Sequence, residues 1–203
     1  MPAPRSKPLT AWEPAPFLVL IALLMFTGLV RPTSSPWLFW PYTALLLATL
    51  AWLVTSLVRG HRDASNPDRW GDLSTLDGIE LVDAPRRARE VRSVLPVAEA
   101  NRHQPAIDLA RIHGGAEQHA VLVPRSSRWL SRRYRVGVQL VGGDRPRHAG
   151  FIADAAAEPF LDRLDELRAA GVYVRVPALV TGASRPFGVD LDVSGLDEVL
   201  ASA

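Results

Sequence analysis

The run from Trp37 to Val58, "WLFWPYTALLLATLAWLVTSLV", holds no charged residue over 22 positions, and no other feature constrains the fold as strongly. At ~1.5 Å of rise per residue, a helix of that length covers the ~30 Å hydrocarbon core of a bilayer. Trp37, Trp40 and Tyr42 cluster at its start, where amphipathic rings favour the membrane interface, and Arg59 closes the far end. A helix buried in a soluble core is the alternative, and it fits neither the length nor the flanks. A second oily segment, "PFLVLIALLMFTGLV", precedes it at 16–30. Its 15 residues are short for a span unless Trp12 to Ala15 extend it or the bilayer thins locally. Arg5 and Lys7 before it also fit the start of a signal peptide, but no small-x-small cleavage site follows. A hairpin of two transmembrane helices, about 14–30 and 37–58, joined by "RPTSSP", is the better account. A signal anchor at 16–30 stays open.

Basic residues near the ends set the orientation. Arg5 and Lys7 precede the first segment, Arg59, Arg62 and Arg69 follow the second, and Arg31 is alone in the connecting loop. Both termini are therefore expected in the cytoplasm. Neither span carries an ionisable residue in its interior, which argues for an anchor rather than a proton or ion path. Of the 23 basic residues only Lys7 is lysine. With so much alanine this reads as the codon bias of a GC-rich bacterial genome, so the expected location is a bacterial inner membrane. Arginine content alone is then no nucleic-acid signature.

After the second span 145 residues remain, enough for one hydrophobic core. Residues 1–15 read as a cytoplasmic tail and 59–85, rich in turn formers, as a juxtamembrane linker. From 86 to 203 the pattern becomes periodic. Strands are predicted at 91–100, 119–124, 134–141, 148–153, 172–180 and 187–193, with Tyr134, Val136, Val138 and Leu140 on one face. A short helix is predicted at 104–112, opened by Pro105. A long one is predicted at 155–170, with Asp154 as N-cap, a stripe of Phe160, Leu161, Leu164 and Leu167, and Gly171 as its stop. Short strands with two helices indicate a membrane-anchored α+β protein: the two-helix hairpin followed by a small, partly closed β-barrel with a packed helix.

The chemistry is sparse. Having no cysteine, the chain lacks disulfides, thiolate metal sites and cysteine nucleophiles. The 5 histidines include no i, i+4 pair, and no HExxH pattern accompanies them. The glycine-bearing stretches "TGASRPFG" and "VGGDRPRHAG" match neither a P-loop nor a dinucleotide fingerprint, and Ser184 does not sit in a nucleophile elbow. Asp162, Asp165 and Glu166 are expected on the exposed side of the long helix, and Asp190 and Asp192 toward water. No constellation supports catalysis, and neither a metal nor a cofactor is expected.

Charge is segregated instead. Residues 125–148 carry seven arginines against Asp144 alone, whereas nine acids and four arginines follow Gly150. With aromatics interleaved, Arg125, Arg128, Trp129, Arg132, Arg133, Tyr134, Arg145, Arg147 and His148 form a candidate surface for an anionic ligand. Guanidinium on phosphate with aromatic stacking suits nucleic-acid ends. The same residues suit anionic lipid headgroups, at roughly 1 kcal/mol per basic residue near the surface. The alternative is that the two charged faces attract one another within the fold, with Trp129 and Tyr134 in the core.

The order of a strand near 91–100, "HQPAIDLARI", a strand, a polar loop, "YRVGVQL", "HAGFI" and a helix resembles the HIRAN module over about residues 90–193. In that family a glycine-aromatic-aliphatic triplet leads from a strand into a helix, and Gly150, Phe151 and Ile152 match it. The resemblance implies a small β-barrel that binds a ligand, in the family's helicases the 3′ end of single-stranded DNA. The chain departs from the family at "WLSRRYRV" (129–136), where members carry an Asn-x-x-Asp-x-x-Ala-like stretch, so no binding residue transfers there. The expected function is a non-enzymatic binding or scaffolding module. Its expected partners are the bilayer, with lipid headgroups or single-stranded nucleic acid, and other membrane proteins. A membrane-anchored hydrolase with a site assembled from scattered residues, or a subunit of a larger membrane complex, is the alternative.

Overall fold

The structure is a computed structural model, and it describes residues 6–7, 9, 12, 14–30, 36–62, 73, 75–85, 94–127, 130–143 and 145–202. Two units are present. One comprises Ser6–Ser65 with Arg128–Arg132, the other Met1–Arg5, Asn66–Ser127 and Arg133–Ala203.

The first unit holds helices α1 (Ala15–Phe26) and α2 (Pro36–Arg62). Within α2 the 20 apolar residues Trp37–Ser56 reach about 30 Å, so among the described residues α2 is the one helix long and apolar enough to cross a membrane. It runs four residues past the expected end at Val58. Pro41 stays inside it, close enough to the start that its missing N–H withdraws a single early bond. The first segment is shorter than expected. With 12 residues α1 reaches about 18 Å, and its bonding then tightens to Thr27 N–H on Leu24 (3.2 Å) and Leu29 N–H on Phe26 (2.9 Å) around Gly28, a poor helix former. Tyr42 on α2 donates its hydroxyl to the Leu23 carbonyl and lies 2.8 Å from the Thr27 hydroxyl, so polar groups on the two helices satisfy each other.

The second unit is α+β. Its strands are β1 (Glu80–Asp83), β2 (Val94–Pro96), β3 (Glu117–Ser126), β4 (Arg135–Leu140), β5 (Arg147–Phe151), β6 (Val172–Thr181) and β7 (Gly188–Asp192). They form one sheet in the order β2-β7-β6-β3-β4-β5, antiparallel throughout that path, with β1 added parallel to β6. β1 and β7 share one edge of β6: β1 pairs with Val172–Arg175 and β7 with Ala178–Thr181. Pro177, which has no N–H to donate, falls in the interval between them. The helices are α3 (Gln104–Gly114), α4 (Asp154–Ala157), α5 (Leu161–Ala169) and α6 (Leu196–Ser202).

Alternation along the strands sends Leu122, Val138, Val174, Val176 and Leu191 into the main core, where Ile107 of α3, Leu164 and Leu167 of α5 and Leu196 of α6 meet them. Among the described residues the outer face is half covered. Leu73, with Leu76, Ile79 and Leu81, packs there on Val121, Val123 and Tyr173. β4 is buried on both faces, so its alternate residues Gly137 and Gln139 are enclosed as well.

Several expected boundaries shift. The helix expected over 155–170 is two helices separated by Glu158–Phe160, because Pro159 lacks an N–H and disfavours helical geometry at the residue before it. Asp154 is the first residue of α4 rather than its cap, and Ala153 holds the cap position without a side-chain bond. Asp165 is buried, not solvent-facing. Part of the expected linker 59–85 is sheet, since β1 and Leu73 belong to the folded unit, while its residues 63–72 lie outside the described set. The strand expected over 91–100 is reduced to Val94–Pro96, with residues 91–93 outside the described set. The turn before α6 is built by Asp192, whose Oδ1 accepts from the Ser194 N–H (3.1 Å) and hydroxyl (2.6 Å).

One further contact links the two ends of the strand order. Ala98, just after β2, bridges Phe151 of β5 through Ala98 N–H to Phe151 O (2.8 Å) and Phe151 N–H to Ala98 O (3.1 Å). Gly150 makes the approach possible. It has φ +140°, and a Cβ there would lie 2.3 Å from the Ala98 carbonyl oxygen.

Candidate functional site

The arginines of the 125–148 run meet very different fates. Arg125 sits in a bulge of β3 against β4, with the left-handed φ of +63° that a non-glycine residue rarely adopts. Its Nη2 donates to Asp165 Oδ2 on α5 (2.7 Å) and its Nε lies 2.6 Å from Oδ1, a two-point ion pair. The same guanidinium lies 5.9 Å from the centre of the half-buried Tyr134 ring.

Arg135 is the hub of the seam where Ala98 meets Phe151. It donates to Glu99 Oε1 and to Asp154 Oδ1 (3.0 Å), and its guanidinium covers the Phe151 ring at 4.6 Å. With only 16% of its side chain exposed, Arg135 has its charge compensated from two directions. Glu99, like Arg125, holds a left-handed φ, +66°. Arg133 reaches the other oxygen of Asp154 at 3.2 Å but is 67% exposed. Such a pair is worth little in water.

Arg132 is exposed, and its Nε and Nη2 donate to the Lys7 carbonyl (3.0 and 2.9 Å) while the Lys7 N–H donates to the Arg132 carbonyl (2.7 Å). Arg145 is exposed and Arg147 buried. Arg128 and Trp129 lie outside the described residues. His148 is drawn inward: the buried Gln139 amide is 3.0 Å from its Nδ1. Its ring stands edge-on to Phe151 (4.9 Å) and to His103 (4.5 Å).

Between the start of β4 and α4–α5 lies a cleft of 270 Å³. Arg133, Tyr134, Arg135, Asp154 and Glu158 form its polar part, and Val136 and Leu161 its apolar part. Its two guanidiniums are balanced by two carboxylates, and Asp154 is paired with both arginines. Among the described residues no three His, Asp or Glu side chains converge to hold a metal ion.

The triplet Gly150-Phe151-Ile152 has a structural role. Gly150 admits the Ala98 backbone, Phe151 forms the bridge and carries Arg135, and the buried Ile152 donates its N–H to Val136 O (2.9 Å). No family model, curated protein or solved structure matches this chain. The resemblance to HIRAN modules therefore rests on the residues of 90–193 themselves.

Glu99, Asp154 and Asp165 were the partners that the linear pattern did not disclose. The available signal was the opposite sign of the two charged halves, which Arg125–Asp165, Arg133–Asp154 and Arg135–Asp154 translate into contacts. A further pair, Arg175–Asp83, ties β6 to β1, with Arg175 Nη2 on Asp83 Oδ2 at 2.7 Å. The Arg175 hydrogen bond holds the Asp83 carboxyl below its ordinary value, and burial opposes it.

Proposed function

We propose that this chain is a non-enzymatic protein of the bacterial inner membrane. In this reading a two-helix hairpin anchors a cytoplasmic, HIRAN-like, partly closed barrel whose basic loop contacts an anionic partner, foremost lipid headgroups of the inner leaflet. The length and apolar character of α2 support the anchor. The polar contacts of Tyr42 with Leu23 and Thr27 support the hairpin. The Ala98–Phe151 bridge, which joins the two ends of the strand order, supports the barrel.

One observation carries the choice of partner. The segment 130–133 exposes Leu130 (66%) beside the exposed Arg132 and Arg133. An apolar residue flanked by arginines is the composition that settles at a lipid interface, and a tether supplies the proximity. Hydrogen exchange of the full chain in nanodiscs tests it. Residues 127–134 are expected to gain protection in anionic discs relative to neutral ones. High salt should remove the gain, and Arg133→Gln with Arg145→Gln should weaken it about fivefold per arginine. Equal exchange in both discs would refute the lipid reading.

The second reading, single-stranded nucleic-acid ends, is favoured by the cleft that sets Tyr134 between Arg133 and Arg135. Protection in neutral discs by DNA with a free 3′ end, and none with a blocked end, would establish it. Silence in every arm would favour a protein partner within a membrane complex.

A further inference from the structure

Among the described residues the outer face of the sheet is covered over half its extent, where Leu73, Leu76, Ile79 and Leu81 pack over Val121, Val123 and Tyr173. The same segment then joins the sheet as β1, and Asp83 pairs with its register partner Arg175 on β6.

Beyond Pro177 the described residues leave the same face open. Strand register aligns Glu117 of β3 with Leu179 of β6, and Leu179 with Asp190 of β7, so a single cross-strand row reads acid, leucine, acid. Leu179 is 40% exposed, as is 48% of Val94 on the neighbouring β2. Two hollows share Glu117 and Pro177: one of 160 Å³ is also lined by Val94, Leu179, Asp190 and Asp192, and one of 430 Å³ by Asp83 and His119. Among the described residues neither Glu117 nor Asp190 takes part in an ion pair, whereas Asp83, Glu99, Asp154 and Asp165 each hold an arginine.

We propose that this open half-face is a docking groove for an extended, arginine-bearing peptide segment of a partner protein. Apolar residues at every second position would cover Leu179 and Val94. Arginines flanking them on the same face would pair with Glu117 and Asp190. An acidic or purely apolar segment would leave two carboxylates desolvated without partners, which is costly. The inference is independent of the lipid reading, since it uses neither the basic loop nor a charged membrane.

The test uses the full chain in neutral phosphatidylcholine nanodiscs at about 0.15 M salt and a fluorescent arginine–valine peptide in which arginine, valine, valine and arginine occupy every second position, on one face, with serine between them. Saturable binding is expected, weaker with an arginine–serine peptide and absent with a glutamate–valine peptide. Glu117→Gln with Asp190→Asn should weaken it at least about tenfold, and Leu179→Ser should weaken it too. Glu117→Lys with Asp190→Lys should transfer binding to the glutamate–valine peptide, a gain that a merely unfolded variant cannot show. The proposal fails if the arginine–serine peptide binds as tightly as the arginine–valine one. It also fails if the neutralised variant binds unchanged or if no saturable binding occurs. Cross-linking between two chains through position 179 in place of peptide binding would make the occupant a second copy and overturn it as well.

Discussion

At the seam, Arg135 has Glu99 and Asp154 on its guanidinium and Phe151 beneath it, and little of it meets water. On the open outer face, Glu117 and Asp190 flank Leu179 with no arginine between them. The two regions contain similar residue types and treat charge in opposite ways. Where the fold removes a charge from water it supplies a partner, because a buried unpaired ion costs several kcal/mol (~3–5 when one partner of a buried pair is removed). Where water remains, the partner can be left to another molecule. An arginine-rich stretch therefore does not equal a basic surface: Arg125 and Arg135 act inside the fold, and Arg132, Arg133 and Arg145 remain on the outside.

The tightness of the seam is the sharpest point of attack. Gly150→Ala drives a Cβ against the Ala98 carbonyl at a left-handed φ, whereas Gly171→Ala meets nothing within 4 Å at φ +82°. The first should cost about 3 kcal/mol or more and the second about 1, the strain alone. Urea unfolding of the full chain in neutral micelles measures both. Equal costs would mean that the seam yields, and the contrast with the open face would collapse.

Next in size is the contrast between two arginines two positions apart. Arg135→Gln leaves Glu99 and Asp154 short of their shared partner and uncovers Phe151, for an expected loss of about 2–4 kcal/mol. Arg133→Gln removes one exposed contact to the same Asp154 and should stay within about 0.5 kcal/mol. Similar losses from both variants in the same unfolding assay would show that exposure does not separate them.

What could be read in advance divides along physical lines. β3, β4, β5, β6 and β7 are short, largely apolar runs bounded by polar or turn-forming stretches, a signal contained within each segment, and all five were expected close to where they form. β1 was not, because a four-residue parallel strand owes its existence to Val172–Arg175, far along the chain. The break at Pro159 was legible from the proline rule but was outweighed by the apolar stripe of Phe160, Leu161, Leu164 and Leu167 that follows it. The candidate site divides in the same way. Composition located the arginines, but Arg125 finds Asp165 across 40 residues, and no local pattern encodes that pairing. Asp165 looks like a solvated helix residue until the bulge in β3 turns Arg125 toward it.

The smallest effect concerns the covered half of the outer face, where Arg175 on β6 and Asp83 on β1 pair with side chains 32% and 58% exposed. Solvent screening limits such a pair to about 0.5 kcal/mol. Its sign with pH is nonetheless definite. The Asp83 carboxyl is depressed below 3.8 in the folded chain by its hydrogen bond to Arg175. The folded state thus binds this proton less readily than the unfolded one. The stabilisation is complete above pH ~4 and is lost as pH falls through the folded value. Asp83→Asn should therefore lower stability slightly at pH 7 and flatten the decline in acid, read as the difference between variant and parent unfolding midpoints from pH 7 down to pH ~2.5. A difference that grows toward low pH would mean that the pair does not hold β1 on β6. β1 would then rest on its backbone ladder with β6 and on the packing of Leu73, Leu76, Ile79 and Leu81 against the sheet.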